Sequence, residues 1–166
     1  MPVSEQASCA CGKVVFETVG PPIMRAVCYC DDCQRAGHLI AARPDAPSVL
    51  GPDGGTDFVL FRKDRVAPVR GEELLDPVRL HDQSPTKRVI ATCCNSAMHL
   101  DFEKGHWLSL YRDRLRSDPG PVQMRIQTRF MPEGATPPPG APVYRSFPLK
   151  FIANLLKARV AMLFGR

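Results

Sequence analysis

Seven cysteines in a chain of 166 residues fall into three tight groups. "SCACGKVVF" carries Cys9 and Cys11, "CYCDDCQRAG" carries Cys28, Cys30 and Cys33, and "ATCCNSAM" carries Cys93 and Cys94. The middle group has the spacing C-x-C-x-x-C. Zinc takes thiolates at about 2.3 Å in a tetrahedron. Cys28 and Cys30 face the same side of an extended chain. A turn after them brings Cys33 back over the same point, so three ligands come from six residues. One position then stays open, as it does in catalytic zinc sites. A zinc ion on three thiolates carries net negative charge, acidifies water poorly, and suits a soft fourth ligand such as a thiol. Arg25 and Arg35 are candidates to balance it by proximity alone, and a surface charge is the simpler reading of each. Two other readings stand beside this one. The three cysteines could pack as small buried hydrophobes. Cys30 and Cys33 could also form a redox pair, although the βαβ context of thioredoxin-like motifs is missing.

Cys9 and Cys11 make half a site, and so do Cys93 and Cys94. Joined, they would staple the N-terminal strand to a distant one, and metal binding would then contribute to folding. Adjacent strand residues point to opposite faces. Cys93 and Cys94 can therefore share one ion only if the chain kinks there; otherwise one of them is merely buried.

The elements around these groups read as mostly β. "GKVVFETV" (12–19) is rich in β-branched residues, and a second strand follows the Pro21–Pro22 pair into Cys28. "DDCQRAG" reads as one helical turn, capped by Asp31 or Asp32 and closed by Gly37. Residues 42–55 are turn chemistry. Residues 56–69 suggest two strands with a turn near Lys63 and Asp64, and a short strand is expected at 78–81. "KRVIATCC" and "AMHLDF" flank the last cysteines as strands. "GHWLSLYR" and "VQMRIQTRF" fit either strand or helix.

The proline-rich stretch 131–142 reads as an extended linker. It would divide a zinc-binding β domain (1–130) from a basic amphipathic helix within 143–166, starting at Pro148. Phe151, Ile152, Leu155, Leu156 and Arg159 are expected on one face, with Lys150, Lys157 and Arg166 adding charge. Such a helix can lie on a membrane surface or pack on the sheet or a protein partner. No internal repeat is present.

Bulk properties narrow the classes. Hydrophobic residues make up 44% and charged residues 23%, enough for a packed core. The net charge of +5 comes with scattered arginines and no basic–aromatic cluster, so nucleic acid is not an expected partner. "MPVSEQAS" has neither a basic nor an apolar signal region, and no stretch reaches a membrane-spanning length. The expectation is a cytoplasmic, reducing location, where clustered cysteines are more often metal ligands than disulfides.

The three cysteine groups together resemble the family of the glutathione-dependent formaldehyde-activating enzyme and centromere protein V. The likeness runs through "SCACGKVVF", "CYCDDCQRAG" and "KRVIATCCNSAMHL", over roughly residues 8–102. It is tightest at Cys28, Cys30, Cys33, Gln34 and Gly37. The resemblance implies a mainly β, tent-like fold of antiparallel sheets stapled by zinc. It implies one or two zinc ions: a structural one on Cys9, Cys11 and Cys94, and an open, catalytic one on Cys28, Cys30 and Cys33. The third motif departs from the family pattern, because Ala91 stands where a ligand cysteine is expected and Asn95 replaces a glycine. Cys93 is the preferred substitute ligand, with His99 and His81 as nearby alternatives. The function implied is a carbon–sulfur lyase acting on thiol adducts of small aldehydes, with glutathione as a candidate thiol. The alternative is a non-catalytic zinc-stabilised module that docks through its C-terminal helix.

Overall fold

The computed structural model describes residues 3–165. Met1, Pro2 and Arg166, at the ends of the two expected domains, lie outside the described residues. The elements in chain order are β1 (Ser4–Ser8), β2 (Val15–Val19), β3 (Met24–Cys28), α1 (Asp31–Ala41), β4 (Thr56–Arg62), β5 (Val66–Arg70), β6 (Leu75–Val78), β7 (Thr86–Ala91), β8 (Ser96–Phe102), β9 (Trp107–Tyr111), β10 (Met124–Ile126) and α2 (Leu149–Leu163). The fold is mainly β with a C-terminal helix. A three-stranded sheet has the order β1-β2-β5, and a seven-stranded sheet has the order β10-β3-β4-β9-β8-β7-β6. Most pairs are antiparallel, as expected. The exception is β10, which runs parallel to β3 and pairs Ile126 with Cys28.

Strand β4 shows how the layers are arranged. Its run "TDFVLFR" is apolar at successive positions, so both faces must be covered. Phe58 and Leu60 enter one core with Ile40 of α1 and Phe151 and Leu155 of α2. Val59 and Phe61 enter the other core with Ala7 of β1 and Phe16 of β2. The large sheet is therefore sandwiched between the small sheet and the two helices. Burial of this kind stabilises by about 25 cal/mol per Å² of apolar surface.

Three local expectations differ from the structure. The predicted single turn at 31–37 is an 11-residue helix. Its cap is the Cys30 sulfur, which accepts from the Cys33 N–H, and neither Asp31 nor Asp32. Gly37 does not end it: a Cβ there would sit 2.4 Å from Leu50 Cγ, so the glycine makes room for the 42–55 loop to cross the helix. The strand expected at 78–81 lies earlier, at Leu75–Val78, after a 3-10 turn at Glu72–Leu74. In α2, the expected face splits. Phe151 and Leu155 are buried together with Ala158, the i, i+4, i+7 stripe, while Ile152 and Leu156 face outward. Residues 131–142 form neither helix nor strand.

Candidate metal centres and the cavity beside one of them

The first cluster forms where two turns meet. Between β1 and β2 the chain folds back through Gly12 at φ +76°, a left-handed position that suits glycine. This turn places Cys9 and Cys11. Cys93 and Cys94 sit in the turn that joins β7 to β8, closed by Asn95 at φ +53°. Because both are in a turn and not on a strand, adjacent cysteines can point to one place. The Sγ atoms of Cys9 and Cys11 are 3.6 Å apart, Cys9 and Cys93 3.8 Å, Cys11 and Cys93 3.4 Å, and Cys93 and Cys94 3.9 Å. All four lie within 4.8 Å of one another. A tetrahedron with bonds of about 2.3 Å has edges of about 3.8 Å, so this donor set fits zinc.

Ser96 braces the cluster: its hydroxyl accepts from the Ala10 N–H at 3.0 Å and lies 3.1 Å from Cys94 Sγ. Burial raises the Cys94 thiol, but the Ser96 hydroxyl and the backbone N–H groups of Cys11 and Ser96 outweigh it, and its pKa falls to about 6. Cys93 goes the other way, up to about 12, through burial and its neighbours Cys11 and Cys9. Ala91 is fully buried in β7 and offers no ligand atom. Among the described residues, neither His99 nor His81 joins a cluster. His99 stacks edge-on with Phe16 at 5.2 Å, and burial lowers its pKa to about 4.

The second cluster is Cys28, Cys30 and Cys33, with all three Sγ atoms within 4.8 Å. Cys28 ends β3, Cys30 caps α1, and Cys33 lies in the first turn of α1. A strand running straight into a helix N-terminus thus brings the three together. Thiol hydrogen bonds from Cys28 and Cys33 hold the Cys30 sulfur as a thiolate, with a pKa near 3, aided by the Cys33 N–H and the charge of Arg88. Cys28 is pushed up to about 12, chiefly by Cys30, and Cys33 is raised as well. Gln34 secures the approach, donating to the carbonyls of Tyr29 at 2.7 Å and Phe130 at 2.5 Å. Buried Tyr29 donates to Asp53 and accepts from Arg125 at 3.0 Å.

Beside this cluster lies a cavity of about 210 Å³. Its lining includes the three cysteines, Arg88, Trp107, Phe147 and Phe151. Arg88 was not singled out from the sequence. It sits on β7, is only 5% exposed, and donates from Nη2 to the Asp32 carbonyl at 3.3 Å. Among the described residues its Nε and Nη1 find no well-aligned acceptor, and the buried Tyr111 hydroxyl lies beside the guanidinium. Neither Arg25 nor Arg35, the cations nearest the cluster in sequence, lines the cavity. Arg25 pairs with Asp57 at 2.7 Å, and Arg35 is exposed and outside the cavity lining. The sequence signal for Arg88 is faint: the strand "TKRVIA" carries two adjacent cations, Lys87 and Arg88, and nothing in the sequence says that Arg88 is the buried one.

A family model described as glutathione-dependent formaldehyde-activating enzyme matches residues 4–43. The match supports the family assignment read from the cysteine motifs. It spans the first two cysteine groups, β1 to β3 and α1. A solved structure of a Rhodobacter sphaeroides protein, a structural-genomics target, has 18% identity and a TM-score of 0.49, and the alignment covers 70% of this chain and 96% of that one. No curated protein matches the chain. The coarse reading of a zinc-binding protein of this family type rests on the matched segment and the two clusters.

Proposed function

We propose that the protein is a zinc-dependent carbon–sulfur lyase acting on thiol adducts of small aldehydes at Cys28, Cys30 and Cys33. The observation that carries this reading is the three-sulfur cluster at the wall of a half-open, mostly apolar cavity. The family match over residues 4–43 supports it. Zinc would be held there by Cys28, Cys30 and Cys33, and would supply a soft Lewis acid for a thiol sulfur. A second zinc would be held by Cys9, Cys11, Cys93 and Cys94 in a structural role.

In the cleavage direction, the adduct's hydroxyl loses its proton and forms the carbonyl. The carbon–sulfur bond breaks, its electron pair stays on sulfur, and the thiolate later takes up a proton. The chain's part is to orient the adduct's sulfur toward the cluster and to exclude water with Phe58, Leu60 and Trp107. The reading places the protein in a reducing compartment, where these thiols stay free. The test is Cys30→Ser. Elemental mass spectrometry should read one zinc fewer per chain, and turnover of a hydroxymethyl thiol adduct should be lost. Turnover that survives with zinc unchanged would remove this site from the chemistry.

A second reading concerns α2. Leu149, Ile152, Leu156, Val160, Leu163 and Phe164 are exposed on its outer side, and Lys150, Lys157 and Arg159 are exposed with them. Apolar residues flanked by cations suit an anionic lipid surface. Among the described residues no helix is long and apolar enough to cross a membrane. Replacing Leu156 and Val160 by glutamate touches only exposed positions. The doubly substituted chain should no longer co-float with phosphatidylserine vesicles while keeping its zinc. Unchanged flotation refutes lipid docking through this face.

A further inference from the structure

The cavity beside Cys28, Cys30 and Cys33 has a character of its own. Its volume is about 210 Å³. A cavity of about 150 Å³ lined by apolar side chains holds a benzene molecule. This one has room for a phenyl ring and a short chain. Its walls are Phe58, Leu60, Leu100, Phe102 and Trp107 from the sheet. Phe147 and Phe151, with ring centroids 5.0 Å apart, close it from the C-terminal segment. Among the described residues, Arg88 is the only cation in the lining.

Arg88 is the second observation. A guanidinium that is 5% exposed, beside the Tyr111 hydroxyl and the Cys30 sulfur but with no well-aligned acceptor for Nε and Nη1 among the described residues, is costly unless something accepts from it. The guanidinium presents a side-on fork through Nε and Nη2 and an end-on fork through Nη1 and Nη2, either of which matches a carboxylate. The Asp32 carbonyl takes one of the two N–H groups of Nη2, which leaves one fork open. The Asp32 side chain, the one acid in the lining, is exposed to water. A tripeptide thiol is a poor fit. It would bring two carboxylates, an ammonium and two amides against walls that offer one cation and few polar groups, and buried charges without partners are strongly disfavoured.

We propose that this cavity binds a small carboxylate with a single aryl or alkyl body, its carboxylate on Arg88 and its body between Trp107 and the Phe147–Phe151 pair. The assignment builds on the proposed function by naming the substrate class of that site: the thiol carrier is an apolar, singly charged molecule. The C-terminal segment, which lies beyond the family match, thereby takes part in the site by supplying two of its walls.

Trp107 is the sole tryptophan, so its fluorescence reports on this cavity directly. The experiment titrates the full zinc-loaded chain with phenylbutanoate, phenylbutanol and glutathione. Phenylbutanoate should change the emission saturably and bind more tightly than the other two. Arg88→Met should weaken phenylbutanoate by about 10- to 100-fold, the loss of a charge-assisted pair, and leave phenylbutanol unchanged. Phe147→Ala, at a half-exposed position, should weaken both phenyl compounds without disturbing the fold. No saturable response, equal binding of acid and alcohol, or preference for glutathione would each overturn the assignment. The titration reads affinity alone. A chain that binds phenylbutanoate but cleaves no thiol adduct refutes the lyase reading only, and a chain that cleaves glutathione adducts without binding phenylbutanoate refutes this one only.

Discussion

Ala91 and Cys93 show how far single residues could be read from the sequence. The spacing of the third motif leaves Ala91 at a ligand position, and the structure buries it in β7, paired with Leu75 and Ser96. Cys93 lies in the following turn, with its sulfur 3.4 Å from Cys11 and 3.8 Å from Cys9. In the proposed four-sulfur site it takes the ligand role that Ala91 lacks. Cys93→Ser should therefore cost one zinc per chain by elemental mass spectrometry and leave the Cys28–Cys30–Cys33 site loaded. Losing a structural metal costs about 4 kcal/mol or more. That corresponds to a fall in thermal midpoint of about 8–16 °C for a chain of this size. An unchanged midpoint with full zinc would show that Cys9, Cys11 and Cys94 suffice. The cysteines were legible because their type and spacing already carry chemistry. Arg88 was not, because an arginine in a strand looks like any surface charge until the register of β7 brings it to the second cluster.

At the scale of elements, the misreadings share a cause. Gly37 looks like a helix terminator because glycine is the usual C-terminal cap. The helix continues through it because a neighbouring loop residue, Leu50, needs the space, and close approach outweighs a propensity cost of about 1 kcal/mol. The cap of α1 was assigned to an aspartate on propensity, yet Cys30 holds that position, so one residue both starts the helix and joins the cluster. In α2, the run "LKFIANLLKARVAML" is apolar on two sides. Periodicity marks both stripes but cannot say which one meets the core; that depends on what the rest of the chain offers. Strand β4 was easier to place, because a continuous apolar run bounded by turns has few other uses.

The whole molecule assigns the two clusters to opposite faces of the large sheet. Cys9 belongs to the core shared with β1 and β2, while Cys28 and Cys33 belong to the core shared with the helices. The first cluster links the β1–β2 turn to the β7–β8 turn, and so ties the small sheet to the large one. The small sheet has three strands, and its backbone pairing to the rest is slight: one isolated bridge joins Ala7 to Leu115. A metal at the first cluster would then govern how firmly that layer is held. Withdrawing it with a chelator should accelerate amide exchange in Ser4–Ser8 and Val15–Val19 by about 100-fold, equal to ~2.7 kcal/mol of local stability. Thr56–Arg62 and Trp107–Tyr111, in the middle of the large sheet, should keep their protection, because their cores close without the sulfurs. Exchange that rises equally in all four strands would mean that the metal holds the whole fold together. Exchange that rises in none would mean that the Ala10–Ser96 hydrogen bond and the shared apolar core are enough to pin the layer by themselves.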